Sequence, residues 1–363
     1  MERVIDLVRK SLSDKHWNDL ESYYRNKSVI VTGGASFIGS NLVEILLDLG
    51  SRITIVDDLS SGKIEHIPSN RGIAFIKGDL SDRRFTMEVI SDAQIVFHLA
   101  AVHGGRGFIE TFKREMLVNL AIDNNVFSSA VKSGVSIMVH ASSACAYPIN
   151  LQEAETDRHL LSELEASMDS AETSFADGVY GWTKLIGEYQ LQNYCSSGGM
   201  KGRSARIFTA YGERENESHA AVALIAKAIL RADPYPIWGS GQQTRNFTHV
   251  ADTALGLILL GSDVSKKSFD VFNIGTSEHV KVIDFVESIF KQLSWRPAVF
   301  DFQLDKPTGV ASRASNNKKI FERFNWEPKI SIDLGISRTI SWYLKISDRP
   351  MTLSELEERL SSR

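Results

Sequence analysis

The stretch Ser28-Val29-Ile30-Val31-Thr32-Gly33-Gly34-Ala35-Ser36-Phe37-Ile38-Gly39 decides how this chain of 363 residues folds. Ser28 to Val31 is a β-branched run, Thr32 to Gly39 is small and glycine-rich, and Asn41 to Leu49 has the spacing of a helix that stops at Gly50. A strand therefore turns through a tight loop into a helix. Unpaired backbone N–H groups at a helix start, with the helix dipole behind them, form a seat for phosphate. Gly33, Ser36, Phe37, Ile38 and Gly39 are the candidate contacts, and the serine narrows the room where a glycine would leave most.

Outward from that loop, Arg52 to Val56, Ile73 to Lys77, Ile95 to Leu99, Ser136 to Ala141 and Ser204 to Phe208 read as further strands. Helical segments, notably Arg114 to Lys132 and Tyr180 to Tyr194, separate several of them. Strands alternating with helices predict an α/β fold with a Rossmann-type, doubly wound parallel sheet. Asp57 closes the second strand, where a carboxylate accepts hydrogen bonds from an adenosine ribose diol and repels a ribose phosphate, so NAD is favoured over NADP. Asp58 can share or take that role. Asp79 and Leu80 after the third strand, and Leu99, Ala100 and Ala101 after the fourth, lie on the same edge, with Asp79 suited to the adenine end. His98 reads as a satisfied structural histidine.

The remaining organisation is coarser. Residues 1–26 form a helical extension, 27–205 the cofactor domain with an acidic insertion at 151–177, 206–345 mostly a smaller mixed α/β lobe interleaved with it, and 346–363 a helical tail. The insertion carries eight acids and one arginine, Arg158, and reads as solvated and partly helical. Hydrophobic residues are 43% and charged residues 24%, which excludes disordered and fibrous classes. A net charge of −4 gives no basic surface for nucleic acid, and no apolar run reaches the roughly 20 residues of a membrane span. Two cysteines, Cys145 and Cys195, fit neither a disulfide framework nor a metal motif. A reducing, cytoplasmic location without metal is the expectation.

Tyr180-Gly181-Trp182-Thr183-Lys184 puts a phenol and an ammonium four residues apart on one helix face. A phenol of ordinary pKa near 10 is a poor base at neutral pH, and a nearby cation favours its phenolate. Downstream of a phosphate loop and a strand ending in Ser142-Ser143, the pair becomes specific, because a serine hydroxyl there can share a substrate proton with Tyr180 and steady an oxyanion.

Here the sequence resembles the extended short-chain dehydrogenase/reductase family, the NAD-dependent nucleotide-sugar epimerases and dehydratases, over roughly residues 27–343. The resemblance rests on TGGASFIG (32–39), IVDDLSSGK (55–63), GDLSD (78–82), VFHLAA (96–101), ASSACAYP (141–148), YGWTK (180–184), RIFTAYG (206–212), WGSGQQTRNFTHVAD (238–252) and FNIG (272–275). It implies that Ser143, Tyr180 and Lys184 form the oxidoreductase triad. It further implies that Arg245 contacts the sugar-nucleotide phosphates or the base-side ribose, and that the protein is a homodimer.

Two details narrow the branch. Dehydratases carry an Asp-Glu pair after the catalytic hydroxyl, and this chain has Ala144-Cys145. SSACAYP, HGGRGFIE (103–110) and QTRNFTHV (243–250) look like GDP-mannose 3,5-epimerases, and Ser218-His219 matches the fucose synthases. By that likeness Cys145 and His219 are the acid/base pair, while Ser142, Gly104, Gly105, Arg106, Thr209 (for the usual Asn) and Arg313 meet the substrate. Glu213 stands for a usual proline. The implied reaction is transient oxidation of an NDP-hexose at C4, proton exchange at C3 or C5 and re-reduction. The alternatives are a C4-epimerase or 4-keto-sugar epimerase/reductase, a net oxidoreductase, or an NAD-binding sensor or scaffold.

Overall fold

In the computed structural model seven parallel strands make one central sheet, each held to its neighbour by a regular ladder. They are β1 (Ser28–Thr32), β2 (Arg52–Asp57), β3 (Ile73–Lys77), β4 (Ile95–His98), β5 (Ile137–Ser143), β6 (Lys201–Ile207) and β7 (Phe269–Ile274). Their spatial order is β7-β6-β5-β4-β1-β2-β3. The order reverses between β1 and β4, and ligands of doubly wound sheets bind at the carboxyl ends of strands flanking such a point. The structure describes residues 3–156, 158–168, 175–346 and 352–360. Parts of the expected acidic insertion (157 and 169–174) and of the C-terminal tail (347–351 and 361–363) lie outside the described residues.

Two elements start earlier than their patterns predicted. The helix after β1 runs Phe37–Asp48, because Ser36 takes an extended N-cap conformation (φ −85°, ψ −178°) directly after the glycines. β6 begins at Lys201, since Arg203 and Arg206 break the apolar pattern although both are buried. Arg203 Nε bonds Asp263 Oδ2 at 2.6 Å, and Arg206 Nη2 bonds Glu188 Oε2 at 2.7 Å.

Residues 4–24 form two helices, Val4–Ser11 and Asp14–Tyr24, broken where Ser13 caps the second by accepting from His16 N. Their apolar faces, with Val4, Ile5, Val8, Trp17 and Leu20, merge with the core beneath β1 and the helix Val250–Gly261. Tyr24 seals the contact by donating to Ile258 O at 2.6 Å. A second core, around Tyr211, Leu224, Phe247, Phe285 and Ile336, supports the segment after β6.

The described part of the acidic insertion departs from the solvated expectation. Leu161, Glu163 and Ala166 are buried, Glu163 accepts from Asn273 N at 2.9 Å, and the carbonyls of Glu163 and Ala166 accept from Arg206. Glu163 marks a polar attachment to the sheet edge, since a carboxylate facing backbone donors is as satisfied as one facing water, whereas Glu153, Glu155 and Arg158 are exposed as expected. Among the described residues no helix is long and apolar enough to cross a membrane, and no group of three or more His, Cys, Asp or Glu is placed to hold a metal ion.

Candidate functional site

At the carboxyl ends of β1 to β4 the glycine loop borders a cavity of about 210 Å³ lined by Gly33, Ser36, Asp57, Asp58, Asp79, Leu80, Leu99, Ala100 and Ala101. Gly33 sits at φ +69°, a conformation that needs glycine, and its N–H bonds Val56 O at 2.8 Å. Ser36 turns its hydroxyl back to Gly33 O (2.5 Å) and leaves the first turn of the helix Phe37–Asp48 without a side-chain cap. Those first-turn N–H groups suit a pyrophosphate. Asp57 accepts from Ala35 N (2.9 Å) and Leu59 N (2.8 Å), bracing the loop against the end of β2, whereas Asp58 is exposed and closes a turn with Ser60. An uncapped helix start, a positive-φ glycine and a carboxylate at the end of β2 fit a dinucleotide, with the acid against its ribose diol.

A second cavity, about 320 Å³, adjoins the first and brings together Ser36, Phe37, Ile38, Gly104, Gly105, Arg106, Ser142, Ser143, Cys145, Tyr180, Lys184, Thr209, His219 and Arg313. β5 ends at Ser143, whose Oγ accepts from Cys145 N at 3.1 Å and so keeps its own proton to donate. The next turn seats Cys145, 8% exposed. Tyr180 and Lys184 enter from the helix Gly178–Gly198, which packs on the Cys145 turn at Gly181, where any Cβ would overlap the Cys145 carbonyl. Gly105 lies equally close to Ser218 O, which draws the 103–106 loop against Ser218-His219. The Ser142 hydroxyl borders this cavity but bonds Glu188 Oε1 at 2.5 Å, so it braces the Arg206 pair.

The electrostatics are those of a dry site. Burial pushes the Tyr180 phenol well above its ordinary value, and the Cys145 and Asp123 charges add to it. Burial pulls the Lys184 ammonium down while Asp123 and Glu188 oppose it; its Nζ donates to Ala141 O at 2.9 Å and lies 5.7 Å from the Tyr180 ring centroid.

Arg106, Cys145, Thr209, Ser218 and Arg313 also line a third cavity of about 220 Å³, where Arg245, Trp238 and Gln243 stand. Arg313 donates to Gln152 Oε1 (2.5 Å) and Asp177 Oδ2 (2.9 Å), with Nη1 3.4 Å from Cys145 Sγ. Arg106 shares Asp177 (2.9 Å) and bonds Glu110. Arg245 donates to the carbonyls of Thr244 and Thr308, both at 2.6 Å, and burial with Arg313 and Arg106 nearby pulls its pKa down to about 9. Three guanidiniums face this cavity, two of them paired with Asp177 and one of those also with Glu110, and the charge of Arg245 is left over, which suits a diphosphate.

Sequence reasoning missed Asp177, Glu215 and His103. Glu215 Oε1 lies 3.2 Å from His219 Nδ1, and the His103 ring centroid is 5.7 Å from that of His219. His103 stood in the quoted HGGRGFIE run, the one available signal; the two acids gave none. Glu213 is buried and paired with Arg338 (2.7 Å) and His249 (3.0 Å), so the change from proline serves packing away from the cavity. Cys195 is buried, and desolvation pushes its thiol up to about 12.

A model of the NAD-dependent epimerase/dehydratase family matches residues 29–275. The chain is 30% identical over 332 residues to GDP-mannose 3,5-epimerase 1 of Oryza sativa subsp. indica, covering 89% of this chain and 83% of that one. Among solved structures, an epimerase from Methanothermobacter thermautotrophicus superposes with a TM-score of 0.80 at 27% identity, covering 91% of this chain and 95% of the other. The UDP-glucose 4-epimerase of Thermotoga maritima, solved with UDP-glucose, gives 0.75 at 26% identity, covering 88% and 99%.

Proposed function

The chain belongs to the NAD-dependent epimerase/dehydratase family, with NAD as its cofactor, and from that premise we propose that it epimerises a GDP-mannose-like nucleotide sugar beside a transient C4 ketone. The observation that carries this reading is one cavity lined by Ser143, Tyr180 and Lys184 together with Cys145 and His219. In this reading residues 27–205 mainly hold NAD, residues 206–345 mostly hold the sugar nucleotide, and the protein works as a cytoplasmic homodimer.

Bound NAD supplies the hydride acceptor and, through its positively charged nicotinamide, the further cation that a buried phenol needs in order to ionise. Gly33, Ser36 and the start of the helix Phe37–Asp48 would hold its pyrophosphate, and Asp57 its ribose. Tyr180 takes the proton of the sugar C4 hydroxyl, Lys184 keeps positive charge beneath it, and the Ser143 hydroxyl donates a hydrogen bond, without giving up its proton, to the oxygen that becomes the ketone. That ketone acidifies the hydrogens on C3 and C5. Cys145, with Arg313 against its sulfur, and His219, backed by Glu215, exchange protons with those carbons. Arg245, Arg313 and Arg106 bind the diphosphate, with Gly104, Gly105 and Thr209 shaping the sugar site. Ala144-Cys145 in place of an acidic pair leaves dehydration without its acid and base.

Proton NMR of the product from GDP-mannose tests the reading, with inversion at C3 or C5 expected. A product inverted at C4 alone would overturn it and favour simple C4 epimerisation.

A further inference from the structure

Behind the Tyr180–Lys184 helix lies a buried polar cluster for which the proposed reaction has no role. Asp123, on the helix Val118–Lys132, has a side chain 1% exposed, and two fully enclosed histidines reach it from adjacent strands. His98 Nε2 lies 3.0 Å from Asp123 Oδ1, and His140 Nε2 lies 3.6 Å from Oδ2. From the cofactor cavity inward the donors run in one direction. Ala100 N–H donates to Thr32 Oγ1 (3.2 Å), the Thr32 hydroxyl to His98 Nδ1 (2.7 Å), and His98 Nε2–H is left for Asp123. This order needs a neutral His98, and burial lowers the pKa of that imidazole. On the other side His140 Nδ1 is held by Ser204 Oγ at 3.1 Å. Phe127 closes the cluster edge-on to both imidazoles.

Asp123 meets the catalytic helix through Gly187. A Cβ at that position would overlap the Asp123 carboxylate and come within 3.0 Å of His140 Cε1, so the absence of a side chain is what lets the helix approach. Gly187 is three residues after Lys184, on the same helix face. The Lys184 ammonium is buried and held by the Ala141 carbonyl. An ammonium in such surroundings loses its proton readily unless an anion faces it. The titratable groups that bear on it are Asp123 from the neighbouring helix and Glu188 from its own helix, with the imidazoles of His98 and His140 from β4 and β5 around Asp123, and the Tyr180 phenol, which shares its cavity with Cys145. Glu188 is already engaged by Arg206 and Ser142.

We propose that Asp123 is a positioning residue for Lys184, a buried counter-ion held by His98 and flanked by His140 that keeps the ammonium protonated beneath Tyr180. The placement of the Asp123 carboxylate against the helix at Gly187, one turn from Lys184, stands on its own geometry, and its charge acts across that turn rather than through a direct contact; its catalytic consequence rests on the proposed roles of Tyr180 and Lys184. Removing the carboxylate takes an anion away from both groups, so both give up protons at lower pH.

Full-length protein labelled with ¹⁵N-lysine gives a direct readout, the Nζ signal of Lys184 being assigned by its loss in K184R. In D123N the midpoint of its titration falls by at least one pH unit, and an unchanged midpoint overturns the proposal. Should D123N not fold, D123S replaces it with the same expectation. Turnover of GDP-mannose against pH gives the functional counterpart. Both limbs of the D123N profile move to lower pH, whereas a variant that is merely less stable loses rate with its limbs in place, which would count against the proposal. Y180F and K184A serve as references. Full turnover by either would remove the catalytic roles of that pair, leaving the lysine titration to judge the influence of Asp123 by itself.

Discussion

A thiol and an imidazole exchange protons on a sugar ring only if both reach the same ring. Cys145 and His219 line one cavity although 74 positions separate them, because the 103–106 loop packs on Ser218 at one wall and the catalytic helix packs on the Cys145 turn at the other. C145S, nearly isosteric, is expected to keep NAD and the fold while losing epimerised product, which chromatography of the sugar nucleotides checks. Y180F is expected to lower turnover by about 10²–10⁴-fold with an unchanged melting temperature, since it removes one oxygen from the proton path. The Tyr180/Lys184 pair was legible as an i, i+4 spacing, and Cys145 as the residue standing where dehydratases carry acid. Glu215 and Asp177 were not legible, because an acid that braces a histidine or bridges two arginines has no local pattern.

Among the elements, β6 shows where pattern reading stops. Its apolar alternation is interrupted by Arg203 and Arg206, and only the folded chain reveals that Asp263 and Glu188 neutralise them inside the sheet layer. The same physics misled the reading of the acidic insertion, whose Glu163 and Ala166 tie down Arg206 and β7. β1 to β5 were legible because no buried arginine interrupts their apolar runs, His98 and His140 falling at or near their carboxyl ends. R206M leaves Glu188 as a buried charge without its partner and is expected to cost about 3–5 kcal/mol in urea unfolding. An R206M/E188M double variant is expected to recover much of that loss.

Over the whole molecule, the amino-terminal helices belong to the main core, so their removal is not neutral. W17A is expected to cost about 3–5 kcal/mol by denaturant unfolding, as for other buried aromatic deletions. Acid stability draws on Glu213. Burial pushes its carboxyl up, but His249 and Arg338 more than offset this and bring it from 4.5 down to about 2. Its stabilisation is therefore full above about pH 4.5 and is lost as pH falls through about 2, a contribution of about 3 kcal/mol. E213Q is expected to be less stable than the parent at pH 7 and to lose less further stability between pH 4.5 and 2, measured by urea unfolding at each pH.

Proton exchange beside a transient ketone leaves a label on the sugar when the enzyme is incubated with GDP-mannose in heavy water. Mass spectrometry and NMR of the recovered sugar nucleotide are expected to show deuterium at C3 or C5, with C145S giving none. Epimerised product carrying no deuterium on its ring carbons would contradict the account.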